Sequence, residues 1–369
     1  MIMRVLIIGN ADSIWIKSLV EKTHLAYGDD VFVLSPKNAV YSDYYSANHV
    51  NVYIIKKIKS PLFLINFIKN MSFISKRYDM VAVQYTEKWN AFWGRMASCF
   101  NKKLIISFWG SDLLRLNNPD KNTFRAIKRS SAVTLTTDDM VKKFTELYGE
   151  QYSNKIRMTK FGSNGIDFLN NHIDQNEVAE KFGIDTSKVV ISIGYNKMKE
   201  QQHLAVLNVI NSLPESLRSN IHLILRLTYG SGDSSYVRQI KDLVESSKCS
   251  NTIFEEYLSD IDVAGITQLT DVFIHAQTTD ARSASMSEHL YSKCLVINPS
   301  WINYPDFEGK VFYLTFKDFD DLKAVLLDNL CKKEQSRYID KLYENTKTVS
   351  DLCSWDSLAP LWRKIYEEK

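Results

Sequence analysis

Short apolar runs recur along the chain, each closed by glycine, asparagine or aspartate and followed by a segment with helical spacing of its apolar residues. The first is Val5-Leu6-Ile7-Ile8, which Gly9-Asn10-Ala11-Asp12-Ser13 turns into a helical pattern through Trp15, Ile16, Leu19 and Val20. Gly28-Asp29-Asp30 leads into Val31-Phe32-Val33-Leu34, and further runs lie at 80–83, 104–107 and 132–135. After Gly183 the beat restarts with Val189-Val190-Ile191-Ser192-Ile193 and Gly194, a helical pattern over 204–210, then runs at 221–225, 252–254, 272–274 and 295–297. A run that is apolar at consecutive positions, rather than at every second one, predicts a strand covered on both faces and hence a parallel sheet. Strands alternating with helices, in a beat that starts twice, predict two doubly wound, Rossmann-like α/β domains. Glycine, asparagine and aspartate accumulate between Phe161 and Asp174, which places the division there, as 1–165 and 166–350.

The length of 369 residues agrees with two domains. A hydrophobic content of 45% with 24% charged residues is that of a globular protein, and no apolar run is long enough to span a membrane. A net charge of +3 argues for local anion-binding patches rather than a nucleic-acid footprint. The five cysteines are odd in number and lack zinc spacing, which reads as a reducing compartment, and the N-terminus lacks a signal-peptide pattern; the expected location is cytoplasmic. The seven histidines show no paired ligand spacing, so neither a metal nor a cofactor is expected. Asp260-Ile261-Asp262 and Asp318-Phe319-Asp320 match a D-x-D metal motif, but each precedes a helical pattern and reads as helix capping.

The chemistry concentrates after the strand pattern Asp271–Ala276. Asp280 and Glu288 bracket the small-residue run Ala281-Arg282-Ser283-Ala284-Ser285-Met286-Ser287, and a helix pattern follows at His289-Leu290-Tyr291. Small residues between a strand end and a helix start leave backbone N–H groups exposed at the positive helix terminus, where a phosphate or diphosphate is held. An acid at the strand end and a second in the helix's first turn then hold hydroxyls beside it, the combination a sugar nucleotide requires. The alternative makes Asp280 a loop acid and Glu288 an ordinary first-turn glutamate. In the first half, ligand positions are expected at the strand ends Gly9-Asn10 and Phe108-Trp109-Gly110-Ser111-Asp112. Gly9 lacks the rest of a G-x-G-x-x-G fingerprint, which argues against a nicotinamide dinucleotide. Asp112 has the alternative role of capping the helix at Leu113, and Trp109 that of packing. No acid lies between Tyr44 and Tyr78, where lysines and arginines interleave with apolar residues. Peripheral contact of 53–77 with an anionic membrane and a core-facing helix with a basic edge both fit that pattern.

In their order, these motifs resemble the GT-B glycosyltransferases, specifically the large group of retaining enzymes with an E-x7-E signature. Asp280-x7-Glu288 has that spacing, with Asp in place of the first Glu; Phe108–Asp112 resembles the H-G-S-D loop, with Trp109 in place of His. Phe161-Gly162-Ser163-Asn164-Gly165-Ile166-Asp167 resembles the P-N-G-I-D segment, and Ile193-Gly194-Tyr195 followed by Lys199-Glu200-Gln201-Gln202-His203-Leu204 resembles the G-R…K-x-Q-H-L opening of the second domain. Trp355 to Tyr366 is similar to the final helix that crosses back onto the first domain, as the segment 351–369.

The resemblance implies two Rossmann-like domains facing across a cleft, the first for the acceptor and the second for a nucleoside-diphosphate sugar. It implies that Glu288 holds the ribose, Asp280 the transferred sugar, and Ser283, Ser285 and Ser287 the diphosphate through backbone amides. Lys199 matches the family's diphosphate lysine; the companion arginine is replaced by Tyr195, with Arg226 or Arg282 as its substitutes. Gly194, Asn196, Tyr229 and Tyr257 complete the expected donor side, and Gly9, Asn10, Trp109, Gly110 and Ser111 the acceptor side. Leu227-Thr228-Tyr229-Gly230 with Tyr236–Ile240 resembles the inverting 4-acetamido-4,6-dideoxygalactose transferases, which would need a base, for which Asp112 is the candidate. The Asp280/Glu288 spacing favours retention. The implied activity is metal-independent transfer of a hexose or modified hexose to a glycan, polyprenyl-diphosphate-linked, in bacterial surface polysaccharide synthesis. A sugar-nucleotide epimerase and a non-catalytic binding protein of the same fold are the alternatives.

Overall fold

The computed structural model describes residues 2–37, 40–55, 63–101, 103–280, 283–330 and 336–368. It divides into two compact units, one made of Met1–Gly162 with Trp355–Lys369 and the other of Ser163–Ser354. The first holds a seven-stranded sheet: β1 (Arg4–Ile8), β2 (Asp30–Ser35), β3 (Asn51–Ile54), β4 (Met80–Gln84), β5 (Leu104–Ser107), β6 (Ala132–Leu135) and β7 (Ile156–Met158). Its order is β3-β2-β1-β4-β5-β6-β7, with every pair parallel. The second holds β8 (Val189–Ile193), β9 (Ile221–Arg226), β10 (Ser250–Phe254), β11 (Val272–Ile274), β12 (Leu295–Pro299) and β13 (Leu314–Phe316), parallel in the order β10-β9-β8-β11-β12-β13. Chain progression reverses between β1 and β4 in one sheet and between β8 and β11 in the other. The crevice outside the carboxyl ends of such strands is where doubly wound sheets bind ligands.

The unbroken apolar runs are explained by burial on both faces. Leu6 and Ile8 face one cluster with Val81, Val83 and Ile106, while Val5 and Ile7 face another with Ile16, Leu19 and Val20. The second face is completed from far along the sequence by Trp355, Trp362 and Tyr366 of the helix Trp355–Glu367. That helix lies against Ile14–Thr23 and is fixed by polar contacts as well as by burial. Trp362 Nε1 donates to Lys160 O at 2.8 Å, and Lys103 Nζ caps the helix end at Tyr366 O, 2.7 Å away. Asp29 is fully buried and takes Arg363 Nη1 at 2.5 Å, His24 Nδ1 at 2.9 Å and Met3 N at 2.8 Å. Burial alone would raise its carboxyl, but the hydrogen bonds from His24, Arg363 and Met3 N together hold it below the usual carboxylate range.

Three strands were not expected from the sequence: β3, β7 and β13. All are sheet edges, short and half-exposed, so their residues need not be apolar at every position. At the two D-x-D sequences, Asp318 caps the helix Phe319–Asn329 through Asp321 N at 2.8 Å. At the other, the cap of the helix Asp260–Leu269 is Ser259 rather than the acid, and Asp262 pairs with Lys181 at 2.6 Å. No helix among the described residues is long and apolar enough to cross a membrane.

Candidate functional site

In the second unit the described part of the small-residue run, Ser283 to Ser287, is the cap and start of a helix rather than a loop before one. Ser283 caps the helix Ala284–Tyr291, its Oγ accepting from Met286 N at 3.0 Å. Apolar periodicity becomes visible only from His289, which is why the sequence pattern placed the start too late. Glu288 therefore sits in the second turn, not the first. Ser287 N already bonds Ser283 O at 3.2 Å, so the first-turn amides directed outward are those of Ala284 and Ser285. Ser287 lies inside the helix, its Oγ on Ser283 O at 3.1 Å.

Arg226, the last residue of β9, points at this helix start. Its Nη2 donates to Ser285 Oγ at 2.9 Å, its Nε has no hydrogen-bond partner among the described residues, and the residue is 6% exposed. Burial lowers its pKa, and the negative charge of Glu288 works the other way. Glu288 accepts from Ser163 Oγ at 3.0 Å. Burial raises the Glu288 carboxyl above its ordinary range, while Arg226 and Ser163 draw it down. Gly165 faces the same carboxylate: a Cβ there would overlap Glu288 Oε1 and lie 2.7 Å from its Cγ. A cavity of ≈ 300 Å³ opens beside these groups, lined by Tyr195, Arg226, Thr228, Tyr229, Tyr257, Leu258, Asp260, Val263, Ser283, Ala284, Ser285 and Glu288. Tyr257 is 82% exposed and Tyr229 47%, so two aromatic faces border open space.

The remaining donor-side expectations fall in different places. Gly194 adopts a left-handed φ of 60° after β8, with Gln201 and His203 against it where a Cβ would stand. Asn196 Oδ1 holds the following turn through Met198 N at 2.9 Å. Asp280 accepts from Tyr304 Oη at 2.6 Å and lies 3.7 Å from His275 Nε2. Lys199, expected at the diphosphate, instead ion-pairs with Asp233 at 3.3 Å on the surface and is not among the residues lining the cavity. Arg282 lies outside the described residues. Ser163, Gly165 and Thr228 lie in segments that resemble family motifs but were given no site role from the sequence, and Tyr304 and Gln277 carried no signal at all. The Gln277 amide meets Tyr195 Oη, where the family arginine was expected.

In the first unit the strand-end residues do converge. Trp109 Nε1 donates to Gln84 Oε1 at 3.1 Å, and a Cβ on Gly9 would stand 3.3 Å from Gln84 Cβ. Tyr85 has φ 55°, rare for a residue with a side chain, and its hydroxyl meets Ser111 Oγ at 3.1 Å. Asn10 builds the turn, its Oδ1 accepting from Asp12 N at 3.3 Å and its carbonyl from Ser13 N. Asp112 is engaged at both oxygens: Oδ1 accepts from Trp109 N and Gly110 N, each at 2.9 Å, and Oδ2 from Thr86 N at 2.7 Å. A carboxylate so used clamps the Thr86 and Trp109–Gly110 loops together. Burial raises its pKa against the lowering effect of these amides. Among the described residues no group of three or more His, Cys, Asp or Glu side chains is placed to share a metal ion.

Residues 4–137 match the family model described as glycosyl transferase 4-like. A comparison with curated proteins gave no significant match. Among solved structures, HepE from Anabaena in complex with UDP is similar at a TM-score of 0.75 and 12% identity, covering 99% of each chain. A glycosyltransferase from Rickettsia africae is similar at 0.73 and 13% identity over 100% of each chain. WaaG, a glycosyltransferase involved in lipopolysaccharide biosynthesis, is similar at 0.63 and 13% identity, covering 99% of this chain and 100% of that one. At these identities the structural likeness shows the two-domain GT-B fold over the whole chain, and residues 4–137 within it match the glycosyl transferase 4-like family.

Proposed function

We propose that the second unit binds a nucleoside-diphosphate sugar in this cavity, from which the protein transfers a hexose or modified hexose to a glycan held by the first unit. The observation that carries the reading is a buried guanidinium, Arg226, set against a helix start on a cavity whose other walls present Glu288 and two exposed tyrosines. Arg226 and the Ala284 and Ser285 amides supply positive charge for a diphosphate without a metal. That charge counts most as the phosphate departs and its negative charge grows. Glu288, held by Ser163, accepts the ribose hydroxyls, and Tyr229 and Tyr257 offer aromatic faces to the base. Structures of HepE with UDP-glucose and with UDP and glucose support a nucleotide sugar as the ligand class.

Retention fits better than inversion, because the amide-bound Asp112 leaves the departing phosphate to accept the acceptor's proton. The role of WaaG supports a bacterial surface glycan, lipid-linked at the inner face of the membrane. So does the helix Phe63–Ile74, which exposes Leu64, Ile65 and Ile68 beside the basic Lys69, Lys76 and Arg77. Lys56, Lys57 and Lys59 lie outside the described residues. The test is calorimetry with UDP, GDP, dTDP, ADP and CMP, without added metal. Binding of one nucleoside diphosphate, lost in Glu288→Ala, is expected; silence toward all would refute the donor site. A second reading, binding without turnover, is favoured by Trp109, whose ring nitrogen is committed to Gln84 where a histidine was expected. Donor consumption only with acceptor separates transfer from that reading, and consumption without acceptor would indicate epimerisation.

A further inference from the structure

Behind Asp280 the structure builds a polar chain that the donor-site reading does not use. Asn298 is fully buried in β12, and its Nδ2 donates to Pro299 O and Ile302 O, both at 3.0 Å. These two carbonyls assign the amide, so its oxygen is what meets His275 Nδ1 at 2.9 Å. An amide oxygen only accepts, and His275 Nδ1 must therefore carry the hydrogen. The other nitrogen, Nε2, is buried, lacks a hydrogen-bond partner among the described residues, and stands 3.7 Å from Asp280 Oδ2. In the neutral ring that nitrogen presents a lone pair to a carboxylate oxygen; in the imidazolium it presents an N–H. Asp280 Oδ2 is also the oxygen that accepts from Tyr304.

We propose that His275 is the positioning residue for Asp280, its Nε2 proton bound in linkage with the Asp280 charge so that the carboxylate is held for the sugar half of the donor. This rests on the donor-site reading above. Among the described residues the titratable groups around the ring are few. Besides Asp280 there are Tyr195, stacked parallel at 6.4 Å after β8, Tyr304 at 6.3 Å after β12, and His289 from the 284–291 helix. Burial pushes the tyrosine hydroxyls up and the His289 ring down to about 3, and the electrostatic partner that favours protonation of His275 is Asp280. Burial also pushes His275 down, opposed by the Asn298 hydrogen bond and by Asp280. Removing the carboxylate removes one of the two groups that favour a second proton on the ring against burial.

Nitrogen-15 NMR of the imidazole in the ligand-free protein tests the linkage without knowing the sugar. A neutral Nδ1–H tautomer is expected, with a titration midpoint that falls in Asp280→Asn. An Nε2–H tautomer, or a midpoint unmoved by that substitution, would overturn the proposal. Calorimetry with UDP and UDP-glucose gives the functional arm. His275→Phe is expected to lower the affinity for UDP-glucose about tenfold relative to UDP, whereas His275→Gln, which keeps a donor but cannot titrate, restores most of it without pH dependence. Equal ratios in parent and His275→Phe would overturn the positioning role while leaving the donor site standing. Absence of UDP binding by the parent, with the other nucleoside diphosphates also silent, would overturn the donor site and this inference with it.

Discussion

Replacing Gly165 by alanine moves Glu288 without altering it. Gly165 lies in the helix Asn164–Leu169, so its backbone accommodates alanine, and the intrinsic helix preference is worth up to about 1 kcal/mol in alanine's favour. The conflict is local: the new methyl would overlap Glu288 Oε1 and stand 2.7 Å from Cγ. The side chain has to swing out, giving up the 3.0 Å bond from Ser163 and its position opposite Arg226. Hydrogen bonds to a charged group contribute about 1.5–3 kcal/mol each. One such bond to ribose, lost through displacement, weakens nucleotide binding by about tenfold to about a hundredfold. Calorimetry with the nucleoside diphosphate the parent binds best, beside a thermal melt of each variant, gives the measurement. Ser163→Ala, which removes the tether but leaves the space, should cost about fivefold. A Gly165→Ala protein with parental melting and parental affinity would refute the reasoning, because Glu288 could then be displaced without consequence for the ligand.

Buried histidines make the fold acid-sensitive. Burial lowers His203 to about 4 and His289 to about 3. The unfolded state therefore binds more protons below pH 6.5, and stability falls as pH drops, by roughly 2 kcal/mol per group at pH 5. Melting between pH 7 and 5 should show it, and a pH-independent melting temperature would contradict it. Arg363→Met strips a buried carboxylate, Asp29, of its cation and should destabilise the first unit by about 3 kcal/mol in a denaturant titration; a change under about 1 kcal/mol would mean that His24 suffices. Leu64, Ile65 and Ile68 changed together to serine should reduce partition onto phosphatidylglycerol vesicles severalfold, and equal partition would make that face ordinary surface.

What was legible in the sequence was what burial on both faces demands. Central strands such as Val5–Ile8 are apolar throughout, and Val189–Ile193 is so apart from Ser192, whereas β3, β7 and β13, with one neighbour each, need not be. The Asp280/Glu288 pair was visible through spacing, but the helix start at Ala284 was not, because Ala-Ser-Met-Ser carries no apolar stripe. Arg226, Ser163 and Gly165 reach Glu288 from residues far away in sequence, and only the folded sheet brings them together. The same holds for Asn298, His275 and Tyr304, each unremarkable alone. Asp112 shows the converse: the sequence left its role open between base and cap, and the three backbone amides it accepts from are visible only in the folded loops.

The helix Trp355–Glu367 also sets a schedule for synthesis. The seven strands of the first sheet emerge early, yet the apolar face formed by Val5, Ile7, Ile16 and Leu19 waits for Trp355, Trp362 and Tyr366. Translating the intervening residues 163–354 takes roughly 10–40 s at ordinary elongation rates. Throughout that interval the nascent chain carries a bare hydrophobic surface and a buried-to-be aspartate without its arginine. Because the second unit runs to Ser354, immediately before Trp355, the first unit's core is closed only after all of the second has been translated.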